Sequence, residues 1–194
     1  MSSLIPSGSA SGTGSMTLAA PVTNSNQTAT LPDATGTIMV SGNMPAFSAY
    51  PSAAQSVSTS AILNINTKEF DTAGAFNNTG STVTLNGLSV PAYAFCPPVA
   101  GYYIITAHGS FNPATSTRDM GIVILKNGAQ YRNGSTTPLL VSDYAESIVT
   151  SVIYLNGTGD YLQSYIYQNS GFAINTLISG AAFCYFTGAL VRAA

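Results

Sequence analysis

Charged side chains are scarce in this sequence. Lysine, arginine, aspartate and glutamate make up 6% of the 194 residues and hydrophobic residues make up 45%, whereas soluble domains usually carry about 25% charged residues. The five basic residues are scattered along the chain, so they form no cationic track for a phosphate backbone. We therefore expect no nucleic-acid partner, and a surface that is either coated by neutral polar groups or covered in an assembly.

Histidine and cysteine are also nearly absent, so the sequence lacks the usual patterns of metal-binding sites and catalytic nucleophiles. Cys96 and Cys184 are the only cysteines and His108 is the only histidine, and their spacing matches no zinc site. Ser110 and Asp119 follow the histidine, but no serine lies in the glycine-flanked pattern of a nucleophile elbow. We expect two buried, reduced thiols, a structural histidine, no catalytic residue or enzymatic activity, and no metal or cofactor. A disulfide needs Cα atoms within about 7 Å, which the sequence leaves open.

The chain lacks a clear export signal and a clear membrane span. Residues 1–14 contain no basic residue and no continuous apolar stretch, unlike a secretory signal peptide. Residues 171–191 are uncharged over a length that can cross a bilayer, but Ser179-Gly180 interrupts them and the aromatic segment 183–186 favours strands. We expect two β-strands there, synthesis in the cytoplasm and no membrane insertion.

Short alternating segments separated by turn residues run through the chain from residue 44 onward. Residues 147–155 and 161–168 alternate between two faces, and Asn127-Gly128 and Asn133-Gly134 are hairpin signals. No long stretch has the periodicity of a capped helix. The pattern predicts an all-β antiparallel sandwich.

The segment from Tyr93 to Asn112 is the centre of this prediction. A Pro97-Pro98 pair and Gly101 mark a rigid turn between two strands. The second strand carries Tyr103, Ile105 and Ala107 on one face and Tyr102, Ile104 and Thr106 on the other. Both faces are apolar enough to be covered, as expected for a central strand of a sandwich or a strand packed against another subunit.

The same segment resembles the signature of the complement globular-head domain, a relative of the trimeric tumour necrosis factor jelly roll. Phe95, Gly101 and Tyr103 match its aromatic, glycine and tyrosine positions. Further blocks that resemble the family are residues 45–49, 69–72, 74–77, 126–128 and 159–161. The resemblance spans residues 44–191 and implies a jelly-roll sandwich that assembles as a homotrimer. The chain departs from the family by an insertion at residues 81–90 and by Ile105 and Ala107, which replace aromatic residues.

The first 43 residues differ from the rest of the chain in composition and pattern. Residues 1–14 are rich in serine and glycine, and residues 28–31 and 37–40 predict two short strands around a turn at 32–36. A hairpin this short is not stable alone in water. We therefore expect it to pack on the main domain, on sister chains or on a larger particle.

Residues 17–40 resemble a segment of bacteriophage tail-fibre and other virion surface proteins. The shared pattern includes Leu-Pro-Asp-Ala-Thr-Gly-Thr followed by an aliphatic residue. The resemblance implies an N-terminal attachment and trimerisation arm, residues 1–43, that joins a head domain, residues 44–194, to other virion proteins. Its candidate contact residues are Leu18, Val22, Leu31, Pro32 and Ile38. An ordinary edge hairpin is the alternative.

Tyrosines recur on one face of the strand predicted near residues 161–168. Tyr161, Tyr165 and Tyr167 share that face, and tyrosine suits a place where an apolar ring and a hydroxyl both need partners. The trimers of the resembling family have an axis lined with aromatic residues. We therefore expect these tyrosines, with Tyr103, to line a trimer interface, and a sugar-stacking platform is the alternative.

Together these expectations favour a homotrimeric tail-fibre or receptor-binding head on a bacteriophage virion, made in the host cytoplasm without a signal peptide. Its host-contacting loops are expected to include Arg118, Asp119, Arg132 and Tyr144, and its receptor to be a surface glycan or protein. Three weak sites on one trimer would gain from avidity. Two other interpretations stay open: a capsid decoration protein that stabilises the phage head, and a cellular trimeric binding module of the complement or tumour necrosis factor type.

Overall fold

In a computed structural model of the protein, residues 44–112, 118–139 and 144–194 are described. Within these ranges every regular element is a β-strand, so the predicted all-β class is confirmed. The strands are β1 (Ala46–Tyr50), β2 (Ser56–Val57), β3 (Ser60–Ile62), β4 (Thr67–Asp71), β5 (Val83–Leu85), β6 (Leu88–Val90), β7 (Ala94–Phe95), β8 (Gly101–Phe111), β9 (Arg118–Lys126), β10 (Ala129–Asn133), β11 (Thr137–Leu139), β12 (Ala145–Leu155), β13 (Leu162–Gln168), β14 (Ile174–Asn175) and β15 (Tyr185–Ala193).

Two antiparallel sheets form the sandwich. The five-stranded sheet has the order β12-β8-β15-β1-β4. The six-stranded sheet has the order β10-β9-β13-β3, with β11 paired to β9 and β7 paired to β13. The longest pairing joins β8 to β12 in unbroken register, from Gly101 opposite Leu155 to Phe111 opposite Ala145. The second strand of the segment predicted as central, β8, therefore lies inside this sheet, with β12 on one side and β15 on the other, whereas its first strand, β7, pairs with β13 in the other sheet.

The two predicted Asn-Gly turns have different outcomes. Asn127 and Gly128 have φ values of 53° and 79° and join β9 to β10, as a type I′ hairpin requires. Asn133-Gly134 makes no such hairpin, because β10 and β11 both pair with β9 and the Gly134 amide donates to the Ile122 carbonyl. A Cβ at Gly134 would lie 2.7 Å from the Ile148 carbonyl oxygen, so this glycine permits a close backbone approach.

The main core fills the space between the sheets and is rich in aromatic rings. The Phe47 ring stacks on the rings of Phe95 and Phe76, with centroids 4.2 Å and 5.0 Å away, and meets Phe186 edge-on at 5.1 Å. All four side chains are fully buried. This packing supplies the large apolar burial that stabilises a sandwich of this size.

The predicted insertion forms the hairpin β5–β6, closed by Asn86-Gly87 at positive φ. Its leucines, Leu85 and Leu88, pack with Tyr161 against a small second cluster made of Val90, Ala94 and Cys96. Ala94 pairs with Gln163 while its neighbour Phe95 lies in the main core. The cluster therefore lies on the outer face of the six-stranded sheet, and the hairpin covers that end of the face.

Both cysteines are buried free thiols, as expected. Burial raises the pKa of Cys96 and of Cys184 to about 11, so both are protonated and poorly nucleophilic at neutral pH. The uncharged segment near the C-terminus forms β14 and β15, as predicted for strands on either side of Ser179-Gly180. Among the described residues, no helix has the length and apolar character to cross a membrane.

We predict that Phe47→Ala lowers the free energy of unfolding by about 3–5 kcal/mol, because it removes three ring contacts and leaves a cavity. Urea unfolding of the full chain measures the change. The matched control is Phe172→Ala, which truncates a phenylalanine that is 64% exposed and should change stability by less than about 0.5 kcal/mol. Equal effects of the two substitutions would contradict this description of the core.

Candidate functional site

The outer face of the five-stranded sheet carries large apolar side chains that face away from the core. On β8 these are Tyr102 and Ile104, and on β12 they are Ile148, Val152 and Tyr154; each is between 41% and 54% exposed. Their odd-numbered neighbours, such as Tyr103 and Ile153, point inward and are buried. We call this surface, together with Thr106 and Thr150, the open sheet face.

The register of the strands arranges the open sheet face in rows. Ile104 lies opposite Val152 on one side and Ala189 on the other, so the middle of the face is aliphatic. In the next row the hydroxyls of Thr106 and Thr150 are 2.9 Å apart and hydrogen-bonded. This pairing gives each of the two hydroxyls a hydrogen-bond partner within the sheet, which lowers the cost of covering that row.

Aromatic rings mark both ends of the open sheet face. At one end the rings of Tyr102 and Tyr154 pack with centroids 5.4 Å apart, and the Arg192 guanidinium lies 5.7 Å from the Tyr102 centroid. At the other end the His108 ring stacks on Tyr185 with centroids 5.1 Å apart. The Arg192 guanidinium and the His108 ring thus lie at the two ends of the open sheet face, away from its aliphatic middle around Ile104.

His108 is held in place by its neighbours. Its Nδ1 is 2.6 Å from the Phe183 carbonyl oxygen and its Nε2 is 3.8 Å from Glu146 Oε2. Among the described residues, no hydrogen bond joins His108 to Ser110, whose buried hydroxyl has no partner, and Asp119 is exposed. The three residues considered from sequence as a triad therefore give the serine no hydrogen-bonded base. The described residues also include no group of three or more metal-ligating side chains.

The structure separates the four tyrosines predicted for a trimer interface. Tyr103 is fully buried in the core of its own chain; its hydroxyl donates to the Val99 carbonyl oxygen at 2.7 Å, and burial raises the pKa of that hydroxyl. Tyr161 packs against the second cluster. Tyr165 and Tyr167 lie on the outer face of the six-stranded sheet, on the opposite side of the sandwich from the open sheet face.

The host-contacting residues predicted from sequence are also divided. Arg118 and Asp119 begin β9, and Tyr144 lies one residue before β12 and is 58% exposed. These three lie at the same end of the sandwich. Arg118 and Asp119 are at the start of β9, which follows the C-terminal end of β8 in sequence, and Tyr144 precedes the start of β12, which pairs with that same end of β8. Arg132 lies along the edge strand β10 instead, and its Nε donates to the Ser151 hydroxyl at 3.2 Å. The attachment residues Leu18, Val22, Leu31, Pro32 and Ile38 lie outside the described residues.

An ion pair supports the tyrosine end of the open sheet face. Lys126 Nζ is 3.0 Å from Asp160 Oδ2 and donates to the Tyr154 carbonyl oxygen at 2.8 Å. Asp160 also accepts a hydrogen bond of 2.8 Å from the Asn127 amide. Burial alone would raise the pKa of Asp160, but the hydrogen bonds from Asn127 and Lys126, with the charge of Lys126, hold it below its usual value of 3.8. The pair ties the β9–β10 turn to the loop after β12.

Solved structures share this fold at low sequence identity. Murine APRIL at pH 5.0 matches 76% of this chain and 99% of its own, with 12% identity and a TM-score of 0.52. The globular domain of zebrafish complement 1qA protein matches 77% and 98%, with 16% identity and a TM-score of 0.51. Eiger TNF from S. frugiperda matches 78% and 93%, with 10% identity and a TM-score of 0.51. No protein-family model and no curated protein matches the chain.

The described domain is therefore an antiparallel jelly roll of the complement globular-head and tumour necrosis factor type. This confirms the fold expected from Phe95, Gly101 and Tyr103. At such identities the likeness establishes the fold and leaves the function to be argued from surfaces.

We predict that Asp160→Asn lowers the free energy of unfolding by about 1 kcal/mol at neutral pH, because it weakens charge-assisted hydrogen bonds. The folded-state pKa of Asp160 is depressed, so its contribution is present above 3.8 and is lost as the pH falls through the folded value. Urea unfolding at several pH values should show the gap to the wild type closing at acid pH.

The control for this experiment is Asp119→Asn, which alters an exposed carboxylate and should shift stability by less than about 0.5 kcal/mol. A gap for Asp160→Asn that stays constant from neutral to acid pH would contradict the role assigned to the ion pair.

Proposed function

We propose that this protein is a homotrimeric virion surface protein of a bacteriophage, a tail-fibre or receptor-binding head that assembles through the open sheet face. The observation that carries the proposal is the row of exposed apolar side chains on β8 and β12. The fold likeness and the sequence resemblance of the N-terminal segment supply the rest of the support.

The open sheet face favours self-association for physical reasons. Contiguous exposed apolar surface is unusual on a monomer and marks interaction sites, and subunit interfaces are apolar and poor in charge at their centre. Ile104, Val152 and Ala189 provide such a centre. Burying this surface contributes about 25 cal/mol per Å², and the paired threonines keep their hydrogen bond. Three copies are proposed because the resembling family assembles as trimers.

The virion role is supported by residues 17–40, which resemble attachment segments of phage surface proteins. A particle-bound arm would place three heads together and give weak host contacts the benefit of avidity. Capsid decoration is the second candidate, because the resemblance of this segment extends to virion surface proteins beyond tail fibres. The fold likeness to APRIL, complement and Eiger domains supports a third candidate, a cellular trimeric binding module.

We predict that Val152→Asp dissociates the assembly into monomers, because three carboxylates would be buried in an apolar interface. Sedimentation of the full chain at micromolar concentration measures the oligomeric state. Phe172→Asp is the matched control: it places the same charge at an exposed apolar residue outside the open sheet face and should leave the wild-type assembly intact.

Tyr165→Asp distinguishes this interface from the tyrosine interface expected from sequence. If the open sheet face is the contact, this variant sediments like the wild type. A Tyr165→Asp protein that dissociates while Val152→Asp stays assembled would overturn the assignment in favour of the six-stranded sheet.

We also predict that antibody raised against this protein labels bacteriophage particles in the electron microscope. Label at the tail tips supports the fibre role, and label over the capsid supports decoration instead. Protein found only on cells that carry no phage or prophage would contradict the virion role and favour the cellular module.

A further inference from the structure

A polar cleft lies on the outer face of the six-stranded sheet. It has a volume of about 320 Å³, near the lower end for small-molecule sites. Val123 contributes to its floor, and Tyr165 and Tyr167 line it from β13. The hairpin β5–β6 covers the same face around Tyr161, but no residue of that hairpin lines the cleft.

The ring of Tyr167 is fixed over the neighbouring strand. A Cβ added to Gly121 would lie 2.5 Å from the Cε1, Cζ and Oη atoms of Tyr167, so the ring occupies the space that a side chain on β9 would fill. Its hydroxyl is 3.1 Å from Thr136 Oγ1. The cleft therefore presents a rigid aromatic surface, which lowers the entropic cost of binding.

The remaining lining is polar and uncharged. Gln130 and Asn133 bring exposed side-chain amides, and Ser60 brings an exposed hydroxyl. Amides and hydroxyls both donate and accept hydrogen bonds. None of the residues that line the cleft is charged. Arg132 lies between Gln130 and Asn133 in sequence, but its Nε donates to the Ser151 hydroxyl. Its guanidinium carbon lies 4.2 Å from the Tyr131 ring centroid.

We propose that this cleft binds a neutral carbohydrate. A sugar ring has an apolar C–H face that fits a tyrosine ring and hydroxyls that are both donors and acceptors, matching the amides of Gln130 and Asn133. A phosphorylated or carboxylated ligand would find no counter-ion in the cleft. A purely apolar ligand would take water from the amides without replacing its hydrogen bonds.

This cleft would give the proposed receptor-binding head a ligand class, and the inference rests on that proposed function only for its biological meaning; Arg118, Asp119, Arg132 and Tyr144 do not line the cleft. The cleft belongs to one chain and faces away from the open sheet face. Sugar binding and trimer formation can therefore be measured separately, and either can fail alone.

The test is saturation-transfer NMR on the full-length protein with a panel of neutral saccharides: glucose, galactose, mannose, N-acetylglucosamine and short oligosaccharides of each. Glucose 6-phosphate and glucuronic acid are the charged comparators. The variants are Tyr165→Ala, Gln130→Ala and Tyr131→Ala. The last is the matched control, because Tyr131 is an exposed tyrosine on the same edge strand but does not line the cleft.

We expect at least one neutral saccharide to bind, and Tyr165→Ala to weaken that binding about tenfold or more, as the loss of a ring-stacking contact does elsewhere. Gln130→Ala should also weaken it, whereas Tyr131→Ala should bind like the wild type. Unchanged melting temperature and sedimentation of Tyr165→Ala show that the loss is local. Absence of neutral-saccharide binding, binding of the charged sugars alone, or equal binding by wild type and Tyr165→Ala would overturn the proposal.

Discussion

The pairing of β8 with β12 creates a sheet with two apolar faces, and the rest of the structure depends on how each face is covered. The two strands run together for eleven residues without a break, and both carry apolar side chains on both faces. A sheet that is apolar on both faces needs cover on both sides. The six-stranded sheet covers the inner face, and phenylalanines and aliphatic residues from both sheets fill the core between them. Nothing in the described chain covers the open sheet face, which is why self-association is central to the proposed function.

The two sheets therefore divide the surface between them. The outer face of the five-stranded sheet is aliphatic in its middle, with hydrogen-bonded threonines beside it, and suits burial against another chain. The outer face of the six-stranded sheet is split between a hairpin that covers Tyr161 and a polar cleft at Tyr165. The low content of charged residues is consistent with both outer faces. The open sheet face is proposed to be buried against other chains, and the cleft on the six-stranded sheet is proposed to bind the hydroxyls of a neutral sugar.

Local patterns predicted much of the fold. The alternation in residues 147–155 and the Asn127-Gly128 turn correspond to β12 and the β9–β10 hairpin, because strand period and turn chemistry are local properties. Asn133-Gly134 misled because its glycine serves a close approach to the Ile148 carbonyl, a tertiary contact that no local pattern reveals. The sequence also could not tell which of Tyr102 and Tyr103 is buried. Alternation places them on opposite faces of β8, but only the packing of the second sheet decides which face is covered.

The candidate sites were less predictable for the same reason. Tyr161, Tyr165 and Tyr167 share one strand face, yet the β5–β6 hairpin covers the first and leaves the other two at the cleft. The signal for the open sheet face was present in the apolar even-numbered residues of β8 and β12, which sequence alone could assign equally well to a core.

The most direct test of this account is the mass of the unmodified full-length protein in native mass spectrometry at micromolar concentration. The account predicts a complex of three chains of 19.9 kDa each. A stable, soluble single chain of 19.9 kDa would contradict it, because the proposed assembly requires the open sheet face to be buried between copies of the chain.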